Sequence, residues 1–235
     1  EAVATHSFTI ICAETGAGKS TQVPQFLTSI AEQVIVTEPR VMAAKTLARR
    51  VAEEMGTDVG ERVGYRTAYD SSCSERSEIV YCTDGLQLIR TIFNPDSEAE
   101  NILIIDEVHE WNLNIETLIA WVKYMHGKWN TKVVIMSATL DVIKLMGFLG
   151  EDLTAISVPG TLYDVEVEER PAEDLVYTII ENIECNKNVL AFVPGKREIH
   201  NVMDELSNTD AVVLPLHGEM DWDEQSKCLE SYSKP

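Results

Sequence analysis

Residues 13 to 21 read Ala-Glu-Thr-Gly-Ala-Gly-Lys-Ser-Thr and follow the apolar run Phe8-Thr9-Ile10-Ile11-Cys12. A strand that runs into a glycine-bearing loop closed by Lys-Ser can cradle phosphate groups. Gly16 and Gly18 let the backbone curl so that successive N–H groups face one anion. Glu14, Thr15, Ala17 and Thr21 make up the rest of the cradle. Lys19 is placed to reach the β- and γ-phosphates and Ser20 to hold Mg²⁺, while the following helix aims its positive end at the same charge. The strict pattern has Gly where this chain has Ala13. A residue at a strand end keeps a negative φ, so a methyl group is tolerable there. A plain glycine turn between strand and helix is the simpler alternative, but it does not account for Gly-Lys-Ser-Thr directly ahead of Gln22-Val23-Pro24-Gln25.

Asp106-Glu107-Val108-His109 follows the run Ile102-Leu103-Ile104-Ile105. Carboxylates at the C-terminal edge of a parallel sheet lie where ligands bind. Asp106 can reach Mg²⁺ through water, and Glu107 can orient and deprotonate the water that attacks a γ-phosphate. An acidic helix N-cap is the bland explanation. Ser137-Ala138-Thr139 ends another buried run, Val133-Val134-Ile135-Met136. Its two hydroxyls could bond to the acidic motif and relay the state of the nucleotide, or simply cap the next helix.

These residues need a scaffold that brings strand ends together. The pattern predicts strands over 8–12, 34–37, 63–66, 78–82, 101–105, 132–136 and 154–158, with helices near 19–31, 42–55, 84–93, 113–126 and 141–149. Apolar runs without alternation imply strands buried on both faces, hence a doubly wound parallel α/β sheet with right-handed crossovers. The strand bearing Asp106 is expected to neighbour the phosphate-loop strand. Val158-Pro159-Gly160-Thr161 reads as a linker, dividing the chain into 1–158 and 159–235. Beyond it we expect strands at 163–168, 189–193 and 211–215 and helices at 172–185, 196–206 and 221–230. Three strands are thin for a complete α/β domain, so this part reads as the front portion of one.

The bulk composition, 235 residues with 45% hydrophobic and 25% charged, allows one large domain or two small ones. No apolar stretch has the length of a membrane span, and the chain opens on Glu1 without Met, as expected of a processed or excised segment. Five scattered cysteines without C-x-x-C spacing suggest reduced thiols in an intracellular protein, cytoplasmic or nuclear, with neither zinc nor disulfides. The net charge of −20 argues against indiscriminate nucleic-acid binding. Arg40, Lys45, Arg49 and Arg50 nevertheless cluster in one turn-and-helix unit, either as a local basic patch or as a solvated helix face.

Taken in order, these segments resemble the helicase core of the DEAH/RHA group of superfamily 2 RNA helicases, with Asp-Glu-Val-His in place of Asp-Glu-Ala-His. Residues 13–25 are similar to motif I, Thr37-Glu38-Pro39-Arg40 with the helix after it to motif Ia, and Thr83-Asp84-Gly85-Leu86 to motif Ib. Asp106–His109 is similar to motif II, Ser137–Thr139 to motif III and Leu190–Ile199 to motif IV. The resemblance implies a P-loop NTPase with a RecA-like domain followed by part of a second. It implies ATP or another NTP with Mg²⁺ held through Ser20, Asp106 and Glu107, and single-stranded RNA or an RNA duplex with an overhang as partner. Glu107, Lys19 and His109 would be catalytic, with His109, Ser137 and Thr139 coupling nucleotide to RNA. Arg40, Thr83, Asp84, Gly85, Gly195 and Lys196 would touch the RNA backbone. Arg50 would stack on the base, unless it is only an i,i+4 partner of Glu54 or Glu53.

Trp111 stands where the group has Arg, and Leu229 where an aromatic residue would complete the base stack. Motifs V and VI, with the arginine finger, would lie beyond Pro235, so this stretch alone is expected to hydrolyse NTP poorly. Rival readings are a viral-type DExH helicase or DNA translocase, and a nucleotide-gated interaction module with a protein activator. Transporter-type and AAA-type ATPases are disfavoured, because neither accounts for residues 37–55 and 83–86.

Overall fold

The computed structural model describes residues 1–14, 16–94, 102–138, 142–159, 165–228 and 232. The chain divides into two compact units, Glu1–Leu162 and Tyr163–Pro235.

The first unit is built on an eight-stranded sheet. In chain order its strands are β1 (Phe8–Ala13), β2 (Val34–Glu38), β3 (Val63–Arg66), β4 (Ser71–Ser72), β5 (Ile79–Thr83), β6 (Ile102–Ile105), β7 (Lys132–Ser137) and β8 (Leu153–Val158). Their spatial order is β4-β3-β5-β2-β6-β7-β1-β8, parallel throughout except for β4, which pairs antiparallel with β3. The helices are α1 (Ala2–Thr5), α2 (Lys19–Leu27), α3 (Val41–Glu54), α4 (Asp84–Phe93), α5 (Leu113–Met125) and α6 (Val142–Leu149).

Alternate residues of each strand feed two separate cores, as a sheet covered on both faces requires. Val34, Val36, Ile104 and Val134 pack with Ala44, Ala48 and Val51 of α3 on one face. Ile35, Leu103, Ile105 and Ile135 pack with Ile115, Leu118 and Val122 of α5 on the other. This is the doubly wound α/β fold that the unbroken apolar runs predict.

The structure corrects the sequence reading in two ways here. β6 does not adjoin β1, because β7 lies between them, paired to both. The short β4 and α1 also have no counterpart among the expected elements. β4 is only two residues long and α1 only four, too short for any periodic signal.

The second unit contains α7 (Leu175–Glu184), α8 (Lys196–Leu206) and α9 (Trp222–Lys227), the last opened by a reciprocal capping box between Asp221 and Glu224. The expected strands at 163–168, 189–193 and 211–215 do not form among the described residues. Instead Leu190, Phe192, Val213 and Leu214 line a hollow of about 250 Å³ against Ile179 and Val202. Apolar extended segments become strands only by pairing edges, and among the described residues no backbone hydrogen bond joins 189–193 to 211–215.

Candidate functional site

The C-terminal ends of β1 and β6 carry the two motifs singled out above. β1 closes on Ala13, which keeps a negative φ as its place at a strand end requires. Gly16 and Gly18 take φ values of 83° and 77°, so both occupy the left-handed region the curled loop needs. Gly18 caps α2, and its carbonyl accepts from Gln22 N at 2.8 Å and Thr21 Oγ1 at 3.1 Å. Ala17 N donates back to Glu14 O at 3.2 Å, closing the turn. Thr15 lies outside the described residues.

Lys19, the first residue of α2, is buried although it is a lysine, with a side chain 5% exposed. Its Nζ lies 3.8 Å from Glu107 Oε1. The two motifs therefore converge across the intervening β7. Glu107 also approaches His109, with Oε2 3.2 Å from Nδ1, and so stands between a lysine and a histidine. Its backbone is left-handed at φ 52°, as is that of Trp111 at φ 40°, bracketing the single 3₁₀ turn Val108–Glu110. Such backbone costs about 1–3 kcal/mol per residue and collects at functional sites. Two contacts hold the turn in place: Val108 is fully buried in the α5-side core, and Asp106 Oδ1 accepts from Glu107 N at 2.7 Å.

Asp106 is completely buried. Burial lifts its carboxyl to about 6, with the Glu107 charge adding to the rise and Ser20, the Glu107 amide and Lys19 opposing it. Its Oδ2 has no hydrogen-bond partner among the described residues. A buried, unpartnered carboxylate oxygen beside Ser20 at the loop's mouth fits a hard divalent cation.

Sequence reasoning missed two residues here. Glu38, at the end of β2, is buried against Asp106, and burial together with the Asp106 and Glu107 charges pushes its carboxyl up to about 9. Burial next to Asp106 thus favours the neutral form of Glu38. Tyr81 of β5, wholly buried, donates its hydroxyl to Ser20 O at 2.7 Å and so pins the first turn of α2 from beneath. Glu38 was legible as part of the Thr-Glu-Pro-Arg segment, but Tyr81 sits in an ordinary apolar strand pattern and carries no signal.

The remaining predicted site residues scatter. Arg50 pairs with Glu54, Nε to Oε1 2.7 Å, the helical ion pair that was the alternative to base stacking. Arg40, 73% exposed, reaches Glu110 Oε1 at 3.1 Å and ties β2's exit to the acidic loop. Asp84 is buried, its Oδ2 accepting from Asn112 Nδ2 at 2.6 Å and its Oδ1 from Gly85 N at 2.6 Å and Asn114 Nδ2 at 3.2 Å. The Thr83-Asp84-Gly85 turn therefore offers Thr83 and Gly85, but not the Asp84 carboxylate, to a ligand. Ser137 is fully buried at the end of β7, in register with Cys12. Thr139 and Leu229 lie outside the described residues. In the second unit Gly195 caps α8 and Lys196 forms an ion pair with Glu219. All five cysteines are free thiols, and no described helix is long and apolar enough to cross a membrane.

Two comparisons bear on this arrangement. The family model described as an AAA domain matches residues 3–144, covering the loop, the acidic strand and the sheet between them. This corrects the expectation that set AAA-type ATPases aside, for the P-loop core is what the model describes. The chain is also 33% identical, over 98% of its length, to a Schizosaccharomyces pombe protein named as a pre-mRNA-splicing factor ATP-dependent RNA helicase. The chain spans 39% of that protein's length. On this family match the chain belongs to the AAA-domain P-loop proteins, and it is similar in sequence to an RNA helicase of the kind its motifs resemble.

Proposed function

We propose that the first unit is the nucleotide-binding half of an NTP-driven RNA helicase, binding NTP with Mg²⁺ at the ends of β1 and β6. The observation that carries this reading is the meeting of Lys19 with Glu107 beside the unpartnered oxygen of Asp106. Lys19, buried and placed on the first turn of α2, supplies positive charge at the phosphates. The N–H groups of the loop and of the first turn of α2 add a fixed dipole. Ser20 and Asp106 would hold Mg²⁺, which when bound neutralises phosphate charge. Glu107, braced between Lys19 and His109, orients the attacking water and takes its proton. His109, within reach of Glu107, and Ser137, on the strand between the two motifs, would relay the change to the RNA side together with Thr139.

Single-stranded RNA would lie along Arg40, Thr83 and Gly85, and in the second unit along Gly195 and Lys196. Backbone contacts of this kind make binding salt-sensitive and largely independent of sequence. Residues 1–158 would form the first RecA-like domain and 159–235 the N-terminal part of a second. The pre-mRNA-splicing relative supports a nuclear setting.

The test is ATP hydrolysis by a chain extended through motifs V and VI, with and without single-stranded RNA, duplex RNA with an overhang and single-stranded DNA, beside the Lys19→Ala variant. Stimulation by RNA that Lys19→Ala abolishes supports the proposal; equal stimulation by DNA points to a DNA translocase. A second reading, a nucleotide-gated module answering to a protein activator, is favoured by the net charge of −20. It predicts intact nucleotide binding with no crosslink to any nucleic acid.

A further inference from the structure

Glu54 closes α3, and the sequence reading gives it no role beyond an ion pair with Arg50. Its two carboxylate oxygens gather three donors from two helices. Oε1 accepts from Arg50 Nε at 2.7 Å, and Oε2 accepts from Gln22 Nε2 and Gln25 Nε2, each at 2.8 Å. Both glutamines belong to α2, the helix that begins at Lys19. Gln22 lies against the phosphate loop itself, since a Cβ built on Gly18 would stand 3.5 Å from Gln22 Cγ. Gln25 is held in turn by its own helix, through Thr21 O at 3.0 Å.

The chemistry of the three donors differs. Each amide gives one N–H to Glu54, fastening the helix behind the phosphate loop to α3. Arg50 is bonded through Nε alone, which leaves the terminal nitrogens and the flat face of its guanidinium for another ligand. A free arginine side chain carries about 2 kcal/mol of rotamer entropy that a ligand must overcome. Glu54 removes part of that freedom beforehand, and does so from a carboxylate already tied to the phosphate-binding helix.

We propose that Glu54 is a positioning residue for nucleotide binding: it presents the Arg50 guanidinium to the base in fixed register with the phosphate loop. The inference rests on the reading of Arg50 as a base contact and adds the group that makes this contact rigid. The bland alternative is a tether between α2 and α3 with no bearing on the base.

A double-mutant cycle on the 235-residue chain separates these, using Mg-ADP and, as a probe without a base, magnesium tripolyphosphate. Arg50→Ala and Glu54→Ala should each weaken Mg-ADP by about fivefold, the scale of one exposed guanidinium–ring contact. The double variant should lose no more than about twofold beyond the worse single variant, because both remove one coupled interaction. Tripolyphosphate affinity should change by less than about twofold throughout. Additive losses in Mg-ADP affinity, or an equal loss of tripolyphosphate in Glu54→Ala, overturn the positioning role and leave a tether. A silent Arg50→Ala overturns the base-contact reading itself, and the inference with it. Glu54→Gln keeps the length and one acceptor oxygen; it is the second variant should Glu54→Ala melt early, and the same pattern is expected of it.

Discussion

Two buried aspartates stand at strand ends of one sheet, Asp84 after β5 and Asp106 after β6, and they have opposite surroundings. Asp84 has both oxygens engaged, by Asn112, Asn114 and the Gly85 amide. Asp106 has one oxygen on the Glu107 amide and one without a partner among the described residues, and burial raises its carboxyl to about 6. The first arrangement is architecture, since it fastens the start of α4 to the start of α5. The second leaves buried negative charge for a ligand to neutralise. Burial alone does not mark a site; a buried carboxylate with an open oxygen beside a phosphate loop and a buried lysine does.

The largest effect that could break this comparison lies beside Asp106. In a chain extended through motifs V and VI, Glu107→Gln should reduce RNA-stimulated turnover by at least about 10²-fold while nucleotide binding persists, since it removes a general base and keeps the shape. Unchanged turnover would take Glu107 out of the mechanism. On the architectural side, Asp84→Ala should cost about 1–2 kcal/mol in denaturant unfolding, because it takes the acceptor from the half-buried amides of Asn112 and Asn114. Mg-ADP affinity should stay within about twofold of the parent, because the site is not touched.

A pH series sharpens the contrast further. Burial lifts Glu38 from 4.5 to about 9, and Asp106 from 3.8 to about 6, so the folded chain holds protons that the unfolded chain has released. The favourable contribution is complete below the unfolded values and is lost as pH rises toward the folded ones, so stability should fall from pH 4.5 to about 9. Glu38→Gln, neutral at every pH, should raise the melting temperature progressively over that window and flatten the slope. A slope unchanged by Glu38→Gln would place the titrating group elsewhere. The smallest effect is Tyr81→Phe, which deletes the bond to Ser20 O and should cost about 1 kcal/mol of stability.

Much of the first unit was legible because its signals are local. Gly16 and Gly18 are free to take the left-handed backbone that a phosphate loop needs, and runs without alternation such as Ile102–Ile105 suit strands buried on both faces. The order of strands was not legible: that β7 separates β1 from β6 depends on which edges pair, and no pattern within a strand records its neighbours. Glu38 and Tyr81 escaped for the same reason, since their roles arise from partners 68 and 61 residues away. The Arg50 reading failed to include Glu54's other partners because Gln22 and Gln25 lie on a different helix. In the second unit, strand-like sequences at 189–193 and 211–215 found no ladder among the described residues, which propensity cannot foresee.

On this reading Asp106 serves a ligand and Asp84 the fold. The direct test is Mg-ADP affinity and melting temperature measured together for Asp106→Asn and Asp84→Asn. The account predicts that Asp106→Asn loses at least about tenfold in affinity while its melting temperature holds or rises. Asp84→Asn should do the reverse, losing stability by setting an amide donor against Asn112 and Asn114 while keeping its affinity. Loss of affinity in Asp84→Asn with full affinity in Asp106→Asn would contradict it.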